Sequence, residues 1–203
     1  RRRNGVTNNM GWFSKKVTLE AQLKNLEALG FALGDDATFD DLFLFGDREA
    51  LEAAPYKSLV ETMAQTIERE PESPICDRLW MCDFERIEDH GDYADVLVRL
   101  ERMTGGVVGL SEIQDHVGED GTWVSFVVDG QSMRWDLAFD GDWLDPRVFA
   151  LYAGLLEREG APLGLYMGSN HEEYGQEVLL VVLDPSFAKP FGKLVGIPLQ
   201  PVA

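Results

Sequence analysis

The sequence predicts an α+β fold: an antiparallel sheet of about four to six strands with helices packed on one side, preceded by a helical N-terminal part. Three observations carry that reading. Residues 122–139 alternate apolar and polar side chains around Asp129-Gly130, the dipeptide of a two-residue type I′ hairpin loop. Several segments repeat apolar residues at helical spacing behind capping residues. Residues 178–183 are an unbroken aliphatic run, the pattern of a strand covered on both faces.

Taken in order, Thr18 caps a first helix carrying Leu19, Leu23, Leu26 and Leu29, and Gly30 stops it. Thr38 and Asp41 form a capping-box pair ahead of a short helix bearing Phe39, Leu42 and Phe43. Tyr56, Leu59, Val60, Met63 and Ile67 then repeat at helical spacing up to Glu70-Pro71-Glu72-Ser73-Pro74. That proline-bearing segment is the expected boundary between a helical part, 17–70, and an α+β part, 75–203, which together make one compact unit. Residues 79–84 read as a strand with Trp80, Cys82 and Phe84 on one face.

Asp92 and Asp95 open a helix whose stripe is Tyr93, Val96, Leu97, Leu100 and Met103, closed by Gly105. Ser111 with Gln114 predicts a further capping box and a short helical turn. In the hairpin the two-residue loop sets the register. Val128 faces Gln131, Phe126 faces Met133, Val124 faces Trp135 and Thr122 faces Leu137 on an apolar side. Val127 with Ser132, Ser125 with Arg134 and Trp123 with Asp136 make the polar side. Asp145-Pro146 starts a helix with Asp as N-cap and Pro at the first position, its stripe being Phe149, Tyr152, Leu155 and Leu156, and Gly160 ends it. Residues 163–167 and 178–183 are strands joined by a polar loop over 168–177. Residues 185–194 predict a short helix interrupted by Pro190, followed by an extended end.

Charge restricts the partners. Among 203 residues, 36 Asp and Glu stand against 18 Lys and Arg, for a formal net charge of −18. Nucleic acid and anionic lipid are excluded as ligands, because neutralising phosphate needs clustered cations. No apolar run reaches the roughly 18 residues of a membrane span. The charge is also uneven. Residues 1–16 hold Arg1, Arg2, Arg3, Lys15 and Lys16 and no acid, and read as a basic disordered tail. Met10 reads as a natural start, with residues 1–9 upstream of it. The arginines are not followed by a secretory apolar segment, and Lys15 stands where a myristoylation pattern wants Ser or Thr, so a cytoplasmic location is expected. Residues 83–145 carry sixteen acids against four arginines. A solvated face is the ordinary reading of such a run, but self-repulsion at this density costs stability and a cationic partner would relieve it.

Chemistry-bearing patterns are scarce. Cys76 and Cys82, six apart, match neither redox nor zinc spacing and read as buried thiols. His90, His116 and His171 are the only histidines. Asp89-His90 with Asp92, and Asp115-His116, offer oxygen and nitrogen donors without any metal-site motif, so neither metal nor cofactor is expected. Ser169 lacks the nucleophile-elbow pattern, and no phosphate-binding glycine loop is present. The pairs Asp83/Glu85 and Asp140/Asp142 are no evidence of catalysis, since a chain with 36 acids contains such pairs by chance.

Trp80-x-x-Asp83-x-Glu85-x-Ile87-x-Asp89-x-Gly91-Asp92-Tyr93, then Trp135, Asp142-Trp143-x-Asp145-Pro146 and Gly175-Gln176, form a set of spaced motifs. With them the chain, from Met10 to near its C-terminus, resembles an uncharacterised family of acidic bacterial proteins that look like the immunity proteins encoded beside polymorphic or contact-dependent toxins. The resemblance brings no catalytic residue. It implies a non-enzymatic inhibitor that binds a cognate toxin with a basic surface, a nuclease or nucleotide-acting effector. Asp83, Glu85, Asp89, Asp92, Asp142 and Trp143 would edge the interface. The plainer reading makes Asp92 and Asp145 helix caps and Trp80, Trp135 and Trp143 core aromatics. Rival functions are a metal-dependent hydrolase using Asp89, His90 and Asp92, or an acidic scaffold or regulatory module.

Overall fold

The computed structural model describes residues 17–69, 71–168 and 174–203; the expected basic tail, the Met10 start, Ser169 and His171 lie outside them. The described chain runs α1 (Leu19–Glu27), a 3-10 segment (Phe39–Leu44), α2 (Arg48–Ala53), α3 (Lys57–Met63), β1 (Thr66–Ile67), β2 (Ser73–Pro74) and β3 (Leu79–Asp83). It continues through α4 (Asp92–Thr104), β4 (Ser111–His116), β5 (Thr122–Val128), β6 (Gln131–Leu137) and α5 (Arg147–Arg158). It ends with β7 (Gly164–Gly168), β8 (Glu177–Leu183), a 3-10 turn (Pro185–Phe187), α6 (Ala188–Val195) and β9 (Leu199–Pro201).

The class is α+β. The strands divide into three antiparallel sheets, β1-β2, β3-β8-β7-β9 and β4-β5-β6. The four-stranded sheet is covered on both faces, not one, and β8 is the reason. Its Val178, Leu180 and Val182 enter one core with Trp80 and Cys82, α4, α5 and the hairpin. Its Leu179, Val181 and Leu183 enter a second core with α1, α3 and α6. A strand aliphatic at every position leaves neither face for water.

The second core joins the N-terminal helices to β3, β7 and β8, so the expected halves share one core. The proline-bearing segment is no open linker. Ser73 and Pro74 are buried and pair back onto Ile67 and Thr66. Ile67 therefore lies on a strand, and α3 ends at Met63. The short α2, capped by Asp47 accepting from the Ala50 N–H, carries a single buried apolar residue, Leu51, too little periodicity to read in sequence. Pro190 does not interrupt α6, because the helix starts at Ala188 and places the proline in the first turn, whose N–H groups have no helical acceptor anyway.

The hairpin has the expected register at every pair from Thr122–Leu137 to Val128–Gln131. Its neighbour overturns an expectation: Ser111–His116 is strand β4, not a helical turn. Pairing to β5 outweighs the local cap signal, and the conflict appears as a bulge between Ser111 and Gln114 with Glu112 at φ 52°.

Two carboxylates fasten these layers. Helix α4 is not capped by Asp92; the N-cap is Gly91, at φ 107°. Asp92 Oδ2 instead accepts from the Glu88 N–H (2.6 Å) and the Asp89 N–H (2.8 Å) of the preceding loop. The helix's free N–H groups go to β4, where Asp115 accepts from Gly91 (2.6 Å), Tyr93 (2.8 Å) and Ala94 (3.1 Å). Asp145, 7% exposed, accepts from the Ala138 N–H (2.7 Å) and the Arg147 N–H (3.0 Å) and pairs with the Arg147 guanidinium. Its own N–H donates to the Tyr93 hydroxyl (2.8 Å), tying the start of α5 to α4. Burial pushes the Asp145 carboxyl up, but the bonds from Arg147 and Ala138 outweigh it and hold the group below its ordinary value. Cys76 and Cys82 are free and buried, and burial pushes their thiols up to about 11 and about 12, so both stay protonated at neutral pH.

Asp115→Ala should lower stability by about 1–2 kcal/mol, read as a shifted urea midpoint with unchanged slope. Asp136→Ala on the exposed side of the hairpin should stay within about 0.5 kcal/mol. Asp145→Asn should cost about 2–3 kcal/mol at pH 7. A depressed carboxyl stabilises above its unfolded pKa and loses that contribution as pH falls through the folded value, so the gap to wild type should close below about pH 4.

Candidate functional site

One end of the four-stranded sheet gathers several of the sequence-predicted residues. Asp83 ends β3 directly opposite Glu177, which begins β8. Like charges facing each other across an antiparallel pair repel. The Glu177 carboxyl is raised above its ordinary value, first by burial and then by Asp83. Gln176 stands beside them, its amide nitrogen donating to Asp83 Oδ1 (2.8 Å) and to Glu85 Oε2 (2.9 Å). Asp83 Oδ1 also accepts from the Glu85 N–H (2.9 Å), which sets the turn out of the strand.

The chain after β3 is pinned on both sides. The Phe84 N–H donates to the Gln176 carbonyl (3.3 Å), and the Phe84 carbonyl accepts from the Leu144 N–H (2.7 Å). Glu85 bridges to Trp143, and the Ile87 N–H donates to the Asp142 carbonyl (2.9 Å). A turn closed by the Trp143 N–H on the Asp140 carbonyl (3.2 Å), with Gly141 at φ 62°, presents the tryptophan outward. Trp143 is 42% exposed, whereas Trp80 (4%) and Trp135 (8%) are core residues. Phe84, Trp143, Met167, Val178, Gln176 and Glu177 line a cavity of about 430 Å³ at this end. The result is an apolar hollow with an aromatic lip and Glu177 in its lining, with Asp83 and Glu85 held alongside by Gln176; Asp142 is exposed on the adjoining turn.

Asp89 and Asp92 belong to a different place, the loop into α4. Asp92 serves that loop's amides, and Asp89 Oδ1 accepts from the His90 N–H (2.7 Å). Here the structure reveals a ring column that sequence reasoning missed. The Arg134 guanidinium lies 4.5 Å from the Trp123 ring centre, Trp123 stacks on His116 at 6.1 Å, and His116 lies 4.6 Å from His90. Asp120 pairs with His116 Nε2 at 3.0 Å, and that bond lowers the Asp120 carboxyl. His90 Nδ1 accepts from the Val117 N–H (3.2 Å), so the lone pair a metal would take from that nitrogen is engaged. Among the described residues no three His, Cys, Asp or Glu side chains converge as a metal site, and no helix is long and apolar enough to cross a membrane.

No family model matches the chain, no curated protein matches it and no solved structure matches it. The site stands on its own geometry.

That geometry has a stability consequence. A carboxyl raised in the folded state favours folding below its unfolded pKa and opposes it as pH rises through the folded value. Glu177→Gln should therefore stabilise the protein at pH 7, by under about 1 kcal/mol because the carboxyl, though partly desolvated, remains largely exposed to solvent. Thermal melts at pH 7 and pH 3.5 should show the gain at the higher pH and its loss at the lower.

Proposed function

We propose that this chain is a non-catalytic immunity protein that binds a cationic bacterial toxin, a nuclease or nucleotide-acting effector in the cytoplasm, and neutralises it by covering its basic active site. The observation that supports this most is the half-exposed Trp143 set beside Asp83, Glu85, Asp142 and Glu177 at a hollow end of the sheet. Tight protein interfaces use an aromatic anchor seated in a pocket inside a polar rim. Carboxylates held in place before binding offer a basic cleft what substrate phosphates offer it, without bearing a scissile bond.

The remaining surplus of acid acts at longer range. Asp89, exposed on the loop into α4, adds to a negative field that steers a basic partner, raising association rates by roughly 100-fold or more at low salt. Screening over about 8–10 Å makes that contribution salt-dependent. Asp92, whose carboxylate is taken by two loop amides, acts in this reading by positioning the loop rather than by touching the partner.

Co-expression with each product of the adjacent genes, followed by titration of the purified pair, tests the proposal. One neighbour should bind with an affinity that falls steeply with salt and should lose its toxicity in the complex. Trp143→Ala should weaken binding by about 2 kcal/mol or more, mainly through faster dissociation, and Asp83→Lys with Glu85→Lys should slow association. If no neighbour binds, or if binding ignores both salt and Trp143, the proposal fails.

A further inference from the structure

A second hollow, between α4 and the β1–β2 arm, gathers arginines. Its wall is one face of α4, namely Asp95, Val98, Arg99 and Arg102, which recur at helical spacing. Thr66, Glu72 and Pro74 of the β1–β2 arm face them, and Trp80 and Arg86 complete a cavity of about 340 Å³. Three arginines thus line one cleft in a chain with twice as many acids as bases.

Among the described residues, two of the three have no carboxylate within ion-pair distance. Arg102 pairs with Asp77 at 2.7 Å and with Asp36 at 3.9 Å. Arg99 donates through Nη2 to the carbonyls of Leu79 (2.7 Å) and Cys76 (3.3 Å), but its Nε and Nη1 are buried with no hydrogen-bond partner. Arg86 lies over the Trp80 ring at 4.9 Å, and its Nε is likewise buried and unpartnered. Burial draws the Arg99 pKa down to about 10 against the opposing pull of Asp77, so the group stays charged at neutral pH. Buried donors with no protein partner are costly. The lining also holds two acids, Glu72 and Asp95, neither within ion-pair distance of Arg86 or Arg99 among the described residues.

We infer that this cleft is a binding site for a small molecule carrying an oxyanion head, phosphate or carboxylate, with Arg86 and Arg99 as its receptors. Guanidinium groups present paired donors that match either head, and a hollow of this size accommodates a small organic body behind it, against Pro74 and Val98. The inference is independent of the acidic end of the sheet and of the proposed toxin.

Arginine Nε–H resonances of the full chain, followed by NMR during separate titrations with inorganic phosphate and with acetate, read the site directly. Saturable shifts at Arg86 and Arg99 with either anion support it, and the anion that binds more tightly identifies the head group. Arg86→Gln should weaken that binding about tenfold or more. This variant leaves the Cys76 and Leu79 carbonyl bonds intact, so it remains informative if Arg99 variants fail to fold. Resonances unmoved by both anions, or affinity unchanged in Arg86→Gln, would overturn the assignment.

Discussion

Strand β8 is the constraint on which the rest depends. Six consecutive aliphatic residues, Val178 to Leu183, alternate between two cores that meet only across the thickness of one sheet. Each face must be closed by other elements. One is closed by α4, α5 and the hairpin, the other by α1, α3 and α6. The first residue of the strand, Glu177, escapes this requirement because it lies past the covered region, and there the sheet becomes a charged end. The burial that fixes β8 in the centre is therefore also what places Asp83, Glu177 and their neighbours at its rim.

The acids of this chain do two kinds of work. Asp115 and Asp145 are structural: each accepts several N–H groups and fastens one layer to another, and neither charge is free. Asp41, in its capping box with Thr38 and ion pair with Arg69, and Asp92 serve likewise. Asp83 and Glu85 share a single amide from Gln176, an uncharged donor that orders two carboxylates without neutralising either. Spacing in sequence does not separate these kinds; only the backbone groups around each carboxylate do.

Legibility in sequence followed the range of the interactions. The hairpin register was readable in full because a two-residue loop and strict alternation determine it locally. The stripes of α4 and α5 were readable for the same reason, down to the buried Tyr93, Val96, Leu97, Leu100 and Met103. What failed was set from a distance. The Ser111–Gln114 capping signal lost to pairing with β5, and the acceptor for the first N–H groups of α4 is Asp115, twenty-odd positions away. At the candidate site, Asp83, Glu85, Trp143 and Gln176 were visible as spaced motifs, but Asp142 engages the cluster through its carbonyl, not its carboxylate. Glu177 was invisible because its facing of Asp83 follows from the β3–β8 register, which nothing local encodes. The arginine cleft was invisible too, since Arg86 and Arg99 come together only when α4 docks beside β3.

The placement of Glu177 is also an argument about selection. An antiparallel pair gains most when opposite charges face each other, and a lysine at either position would have joined these two strands more firmly. The chain instead sets acid against acid, with a third carboxylate, Glu85, alongside and an exposed tryptophan at the edge. A fold shaped by stability alone removes such conflicts, and the places where local rules are broken without compensation inside the molecule are where function is sought. On the proposed reading, the compensation for a rim of like charge lies outside the chain, in a partner whose cations would replace the missing lysine. On the inference drawn for the arginine cleft, Arg86 and Arg99, whose Nε–H groups have no partner among the described residues, would likewise take an anion from outside.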